Sequence, residues 1–146
     1  VVEDYVPETD AGKEMYEVLE KEMSFEKIIA VEVDHALSHT LAHLGKEHGN
    51  IIYSGDTLPC QNFINYGQGV KVLIHEATLE DGMEEDALSK KHTTTSQAIK
   101  IGKKCKAWRT ILTHFSTRYN KIAEVPKNHL QTKTLIAFDH MRLAIS

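Results

Sequence analysis

Five polar side chains in this 146-residue sequence stand where they could act together chemically. Asp56 follows the apolar run Ile51-Ile52-Tyr53 through a Ser54-Gly55 turn. His114 follows Ile111-Leu112-Thr113, and His35 follows the β-branched run from Ile28 to Val33. Two imidazoles and one carboxylate, each placed just past a strand-like run, are a donor set suited to catalytic zinc with open coordination positions. A carboxylate can also bridge two cations. Glu76 and His92 make a second pair. Glu76 closes the run through Ile74-His75, and His92 opens the segment Thr93-Thr94-Thr95. A carboxylate hydrogen-bonded to an imidazole fixes its tautomer and raises its basicity, so such a histidine could protonate a leaving oxygen.

Plainer readings exist for each. Asp56 could cap the next helix or close an Asx-turn. Thr93 or Thr94 could be a helix N-cap that His92 merely precedes. Of the nine histidines, His48 and His129 lie in polar loops and read as surface residues. His35, His39 and His43 recur every four residues, so a helix would stack them on one face and could bind metal by itself. Against that stands Lys27 to Asp34, which reads as strand.

The elements that must position these groups follow from periodicity. Residues 1–12 read as loop, and 13–24 as an amphipathic helix carrying Met15, Val18, Leu19 and Met23. Strands are expected at Lys27–Asp34, Thr40–Leu44, Asn50–Ser54, Val70–Ile74 and Arg109–Thr113. A closing strand is expected at Leu135–Ile145, with Ile136, Phe138 and Leu143 in the core. Helices are expected from Leu58 to Tyr66, with Pro59 in the first turn, and from Thr93 to Ala107. In the latter, Ala98, Ile101, Gly102 and Cys105 share a face. Leu79–Asp86 is acidic and reads as surface, and 116–132 as irregular. Strands alternating with helices imply a layered α/β domain, and loops leaving strand ends are where such domains build sites.

Composition bounds the possibilities. The length suits one domain, burying about two-thirds of its unfolded surface. Hydrophobic residues are 41% and charged residues 26%, a globular balance. The net charge of −4 argues against a module that holds nucleic acid by charge alone. It does not exclude a nuclease whose metal ions and local basic groups meet the phosphate. Cys60 and Cys105 make no CxxC spacing, so neither a thiolate zinc site nor a disulfide framework is expected; both read as reduced thiols of an intracellular protein. No apolar run approaches the roughly 20 residues that span a bilayer, and no targeting peptide is visible. A first residue of Val1 rather than Met is read as a mature or excised fragment.

In order, Val33-Asp34-His35, Ser54-Gly55-Asp56-Thr57-Leu58-Pro59, His75-Glu76-Ala77-Thr78, His92-Thr93-Thr94-Thr95-Ser96-Gln97-Ala98, His114-Phe115-Ser116-Thr117-Arg118-Tyr119 and Ala137-Phe138-Asp139-His140 resemble the catalytic C-terminal half of long eukaryotic tRNase Z. The resemblance covers residues 27–146. It implies the C-terminal part of a metallo-β-lactamase fold, an αββα sandwich, with 1–146 forming a partial nuclease domain. By resemblance His35 would bind a first zinc, Asp56 would bridge two zinc ions per complete site, and His114 would bind the second. Glu76 and His92 match the pair thought to deliver a proton to the leaving ribose oxygen. The implied activity is zinc-dependent removal of 3′ trailers from precursor tRNA, with an expected location in nucleus or mitochondrion and no membrane partner. The family's His-x-His-x-Asp-His motif, which supplies the remaining ligands, is absent and is expected upstream of Val1. The fragment alone is therefore expected to bind zinc weakly and cleave no tRNA. The alternative is a non-catalytic half of the same fold, serving as a binding or structural module. Such a half would be expected to lose ligands, whereas this chain keeps each position it could show.

Overall fold

A computed structural model of the chain describes residues 2–4, 9–23, 27–31, 40–44, 49–119 and 133–144. Within them the strands are β1 (Val2–Asp4), β2 (Lys27–Val31), β3 (Thr40–Leu44), β4 (Ile51–Tyr53), β5 (Val72–Glu76), β6 (Arg109–Thr113) and β7 (Thr134–Ile136). The helices are α1 (Asp10–Met23), α2 (Gln61–Tyr66), α3 (Glu84–Lys90) and α4 (Thr95–Lys104). The strands form one seven-stranded sheet in chain order. It is antiparallel from β1 to β4 and parallel from β4 to β7. The switch has a simple cause. A parallel neighbour requires a crossover long enough to return the chain to the same end of the sheet. α2 occupies the crossover between β4 and β5, and α3 and α4 occupy that between β5 and β6.

Strand residues alternate between faces, and register partners share a face. Ile52 pairs with Leu73, which pairs with Thr110, and His75 pairs with Leu112. This is the face the helices cover. Ile52, Phe63, Val70, Leu73, Ile101 and Cys105 form one buried cluster, and Ala77, Ala98, Ile99 and Leu112 a second, nearer the site. α4 lies close on β6: a Cβ added at Gly102 would overlap the Thr110 side chain. Burial pushes the Cys105 thiol up to about 11, and its Sγ–H donates to the Phe63 carbonyl at 3.2 Å, so it serves as core.

The helices begin and end for local reasons. Thr94 is the N-cap of α4, and the Gln97 side chain accepts from its N–H at 3.0 Å, half of a capping box. Lys103 and Lys104 oppose the dipole in the last turn. α3 carries Glu84, Glu85 and Asp86 in its first turn and ends on Lys91 in the left-handed region at φ 58°.

Several expectations need correction. The acidic stretch is exposed from Glu80 to Glu85 as expected, but Leu79 is buried and helix α3 starts at Glu84. The N-terminal segment includes strand β1, and α1 starts at Asp10. β5 runs two residues past Ile74 because His75 and Glu76 pair with Leu112 and Thr113. The closing strand stops at Ile136. Ala137 N–H still reaches Leu112 O at 2.8 Å, but the chain then turns at Asp139-His140, with His140 at φ 62° and Met141 N–H on Phe138 O. Phe138 is therefore exposed rather than core. The helical stack of three histidines fails too, since His43 lies in β3, paired with Ile28 and Ile51. His35, His39, His48 and His129 lie outside the described residues.

Candidate functional site

The described polar residues of interest gather where β4, β5 and β6 end, the edge at which parallel sheets commonly build sites. Asp56 leaves β4 through Gly55, whose φ of 55° suits a residue without Cβ. The turn is fastened to the neighbouring strand. Ser54 N–H donates to Ile74 O at 2.9 Å, and the buried Ser54 hydroxyl accepts from Glu76 N–H at 2.9 Å. The N-cap of α2 is Cys60, four residues on, so Asp56 does not cap that helix. Its carboxylate is half-buried, 3.4 Å from Nδ1 of His114.

Glu76 ends β5 and is buried. Its Oε1 accepts from Thr57 N–H at 2.7 Å and from His92 Nδ1 at 2.9 Å. Its Oε2 accepts from the Thr78 hydroxyl at 2.6 Å, from Thr93 N–H at 3.0 Å and from Thr78 N–H at 3.3 Å. Burial by itself would raise its pKa. The hydrogen bonds from Thr78, Thr57, His92 and Thr93 outweigh burial and hold the carboxyl below the ordinary glutamate range. Glu76 is thus a fixed negative charge beneath the site. Behind it His75 is fully buried, Nδ1 to the Glu76 carbonyl at 2.8 Å and edge-on to Phe63. Burial pushes its pKa down, so it is a neutral core histidine rather than a ligand.

His92 follows the left-handed Lys91 and keeps about a fifth of its side chain exposed. His114 leaves β6 at φ 60°, a conformation uncommon for a residue with a Cβ and often found at functional sites. The rings of His92 and His114 lie 5.6 Å apart, tilted by 32°. Asp56, His92 and His114 each offer one donor atom, all within 4.8 Å of one another. Zinc bonds of roughly 2.1 Å put opposed donors at most about 4.2 Å apart, so small side-chain shifts would let these atoms share an ion. The nitrogen and oxygen donors also suit that metal. His92 therefore belongs to this cluster as well as to Glu76, which spacing did not suggest.

Sequence reading missed the threonines. Thr57 and Thr93 act through backbone N–H groups, and the Thr93 hydroxyl donates to Thr57 O at 2.5 Å. Thr78 contacts Glu76, His114 at 2.8 Å and His92 at 3.3 Å through one hydroxyl. Thr78 stands two residues past Glu76, beyond the end of β5, and nothing in its residue type marked these contacts.

No family model matches the chain. It is 52% identical over 95 residues to mitochondrial ribonuclease Z of Drosophila melanogaster, covering 65% of this chain and 12% of that protein. It is 42% identical over 119 residues to human zinc phosphodiesterase ELAC protein 2, covering 82% of this chain and 14% of that one. The chain thus spans only a small part of the curated relatives it matches. Among solved structures, a long-form RNase Z from yeast superposes with a TM-score of 0.71 at 32% identity, covering 86% of this chain and 18% of that chain. Human tRNase Z, short form, gives 0.68 at 28% identity, covering 84% and 44%. The metallo-β-lactamase fold protein YhfI of Bacillus subtilis, at 18% identity and a TM-score of 0.60, shares the fold.

Proposed function

We propose that this chain, a tRNase Z-type segment of the metallo-β-lactamase fold, contributes one side of a zinc-dependent endoribonuclease site that removes 3′ trailers from precursor tRNA. The observation that carries this reading is the Asp56, His92 and His114 donor cluster seated over the buried, ionised Glu76. Bound zinc would polarise a phosphoryl oxygen and lower the pKa of the attacking water. Asp56 and His114 would hold it, with Asp56 bridging two ions. The further ligands, including His35 and a His-x-His-x-Asp-His motif from polypeptide outside these 146 residues, would complete the pair.

Glu76 and His92 are assigned proton delivery. His92 Nδ1–H donates to Glu76, which leaves Nε2 as the edge turned away from that carboxylate. A proton held at Nε2 passes to the 3′-oxygen of the leaving ribose as the phosphorus–oxygen bond breaks. The negative charge of Glu76 stabilises the imidazolium before transfer. The products are tRNA with a free 3′-hydroxyl and a trailer with a 5′-phosphate.

The donor cluster supports a second role for His92, as a third metal ligand. His92→Ala separates the two: retained zinc with slowed cleavage fits proton delivery, and lost zinc fits ligation. The overall reading is tested by incubating the full-length protein with a 3′-extended precursor tRNA and mapping both product ends. Trailers with 5′-phosphates, lost in Asp56→Ala, are expected. Absence of cleavage would favour a non-catalytic binding or structural half. We also propose a location in the mitochondrion, the nucleus or both. The Drosophila relative and an Arabidopsis thaliana relative are both named as mitochondrial, which supports the first location. Among the described residues no helix is long and apolar enough to cross a membrane.

A further inference from the structure

We infer that Thr78 is a positioning residue that sets both the tautomer and the pose of His114. The argument is one of proton counting. A threonine hydroxyl has one proton and two lone pairs, and an ionised carboxylate can only accept. The Thr78 hydroxyl lies 2.6 Å from Glu76 Oε2, so its proton points there. Its 2.8 Å contact with His114 Nδ1 must then run the other way, with Nδ1–H donating to Thr78 Oγ1. That places the His114 proton on Nδ1, where Asp56 Oδ1 at 3.4 Å is the more distant acceptor, and leaves the Nε2 lone pair for an external electrophile. His92 is ordered by the same carboxylate directly, Nδ1 to Oε1 at 2.9 Å; its contact with Thr78 is longer, at 3.3 Å. One buried charge therefore orients two imidazoles, the second through the Thr78 hydroxyl.

The main chain of Thr78 and its neighbour Ala77 braces the loop. Thr78 O accepts from Ser116 N–H at 3.0 Å, and Ala77 N–H donates to Thr113 O at 2.9 Å. These bonds bracket His114, whose φ of 60° is a conformation a β-carbon disfavours. Side chain and backbone together hold the imidazole in one orientation before any ion arrives. Orientation of a ligand histidine by a hydrogen bond to its other nitrogen typically changes metal affinity about 10- to 100-fold.

The value of this arrangement for zinc rests on the metal reading above; the tautomer assignment does not. The test uses the metal-free 146-residue chain at alkaline pH, where imidazole nitrogen shifts from two-dimensional NMR report which nitrogen carries the proton. His114 should show Nδ1–H in wild type and in Thr78→Ser, which keeps the hydroxyl. In Thr78→Val, which keeps the shape and loses the hydroxyl, it should move to Nε2–H or a mixture. Zinc titration of the same proteins should give Thr78→Val an affinity about 10-fold or more below wild type, with Thr78→Ser close to wild type. An unchanged His114 tautomer in Thr78→Val overturns the inference, as does equal damage from Ser and Val, which would mark a packing role. Wild type with Nδ1–H on His114 but no zinc binding would sink the metal reading and leave the positioning role standing.

Discussion

Glu76 shows how much of the site depends on a single residue. Three backbone N–H groups, one hydroxyl and one imidazole converge on its buried carboxylate. Glu76→Gln replaces one acceptor oxygen with a donor facing donors, and should lower unfolding free energy by about 2–4 kcal/mol in urea titration. The pH dependence has a definite sign. Its folded pKa lies below the unfolded value of 4.5, so its stabilisation is complete above 4.5 and is lost as pH falls toward the folded value. The gap between wild type and Glu76→Gln should therefore shrink on acidification. His75 adds a slope at higher pH. Its folded pKa is depressed by burial, so stability should begin to fall once pH drops below 6.5, where the unfolded histidine takes up a proton. At this scale Asp56, Glu76, His92 and His114 were legible because each stands beside a run of strand or helix formers. Thr78 was not, because a hydroxyl becomes informative only when its neighbours in space are known. The backbone donors of Thr57 and Thr93 have no signature in side-chain type at all.

The helices and strands set that geometry through close packing, most tightly where α4 crosses β6. Gly102→Ala would drive a methyl into Thr110, and overpacking of this kind costs about 1–3 kcal/mol. The thermal midpoint of Gly102→Ala should fall accordingly; a midpoint equal to that of wild type would mean that the two elements lie further apart. The long-period signals read well. α1, α4, β4 and β6 stand within a few residues of where apolar spacing puts them. The misses have local causes. β1 is three residues long and owes its pairing to β2, not to its own sequence. α3 hides at the end of an acidic stretch, and its buried residue, Ala87, is small. The closing strand looked longer because Phe138 and Leu143 are apolar, yet a turn at Asp139-His140 carries the chain off the sheet.

At the scale of the molecule, a net charge of −4 gives the chain no global basic field, so the chemistry of the proposed site rests on local groups at the ends of the parallel strands. The parallel half of the sheet supplies Asp56, Glu76 and His114 from three successive strands, and the start of α4 brings His92 to the same edge. The fold was legible from the ordered motifs, and the yeast and human structures share it. The His35 assignment lies outside the described residues and stays a proposal. The metal centre is tested most directly by zinc titration of the 146-residue chain, wild type against Asp56→Ala, by calorimetry with circular dichroism as the folding control. Wild type should bind zinc and Asp56→Ala should lose it with an unchanged fold. Equal zinc binding by the two proteins would contradict the site proposed for these strand ends.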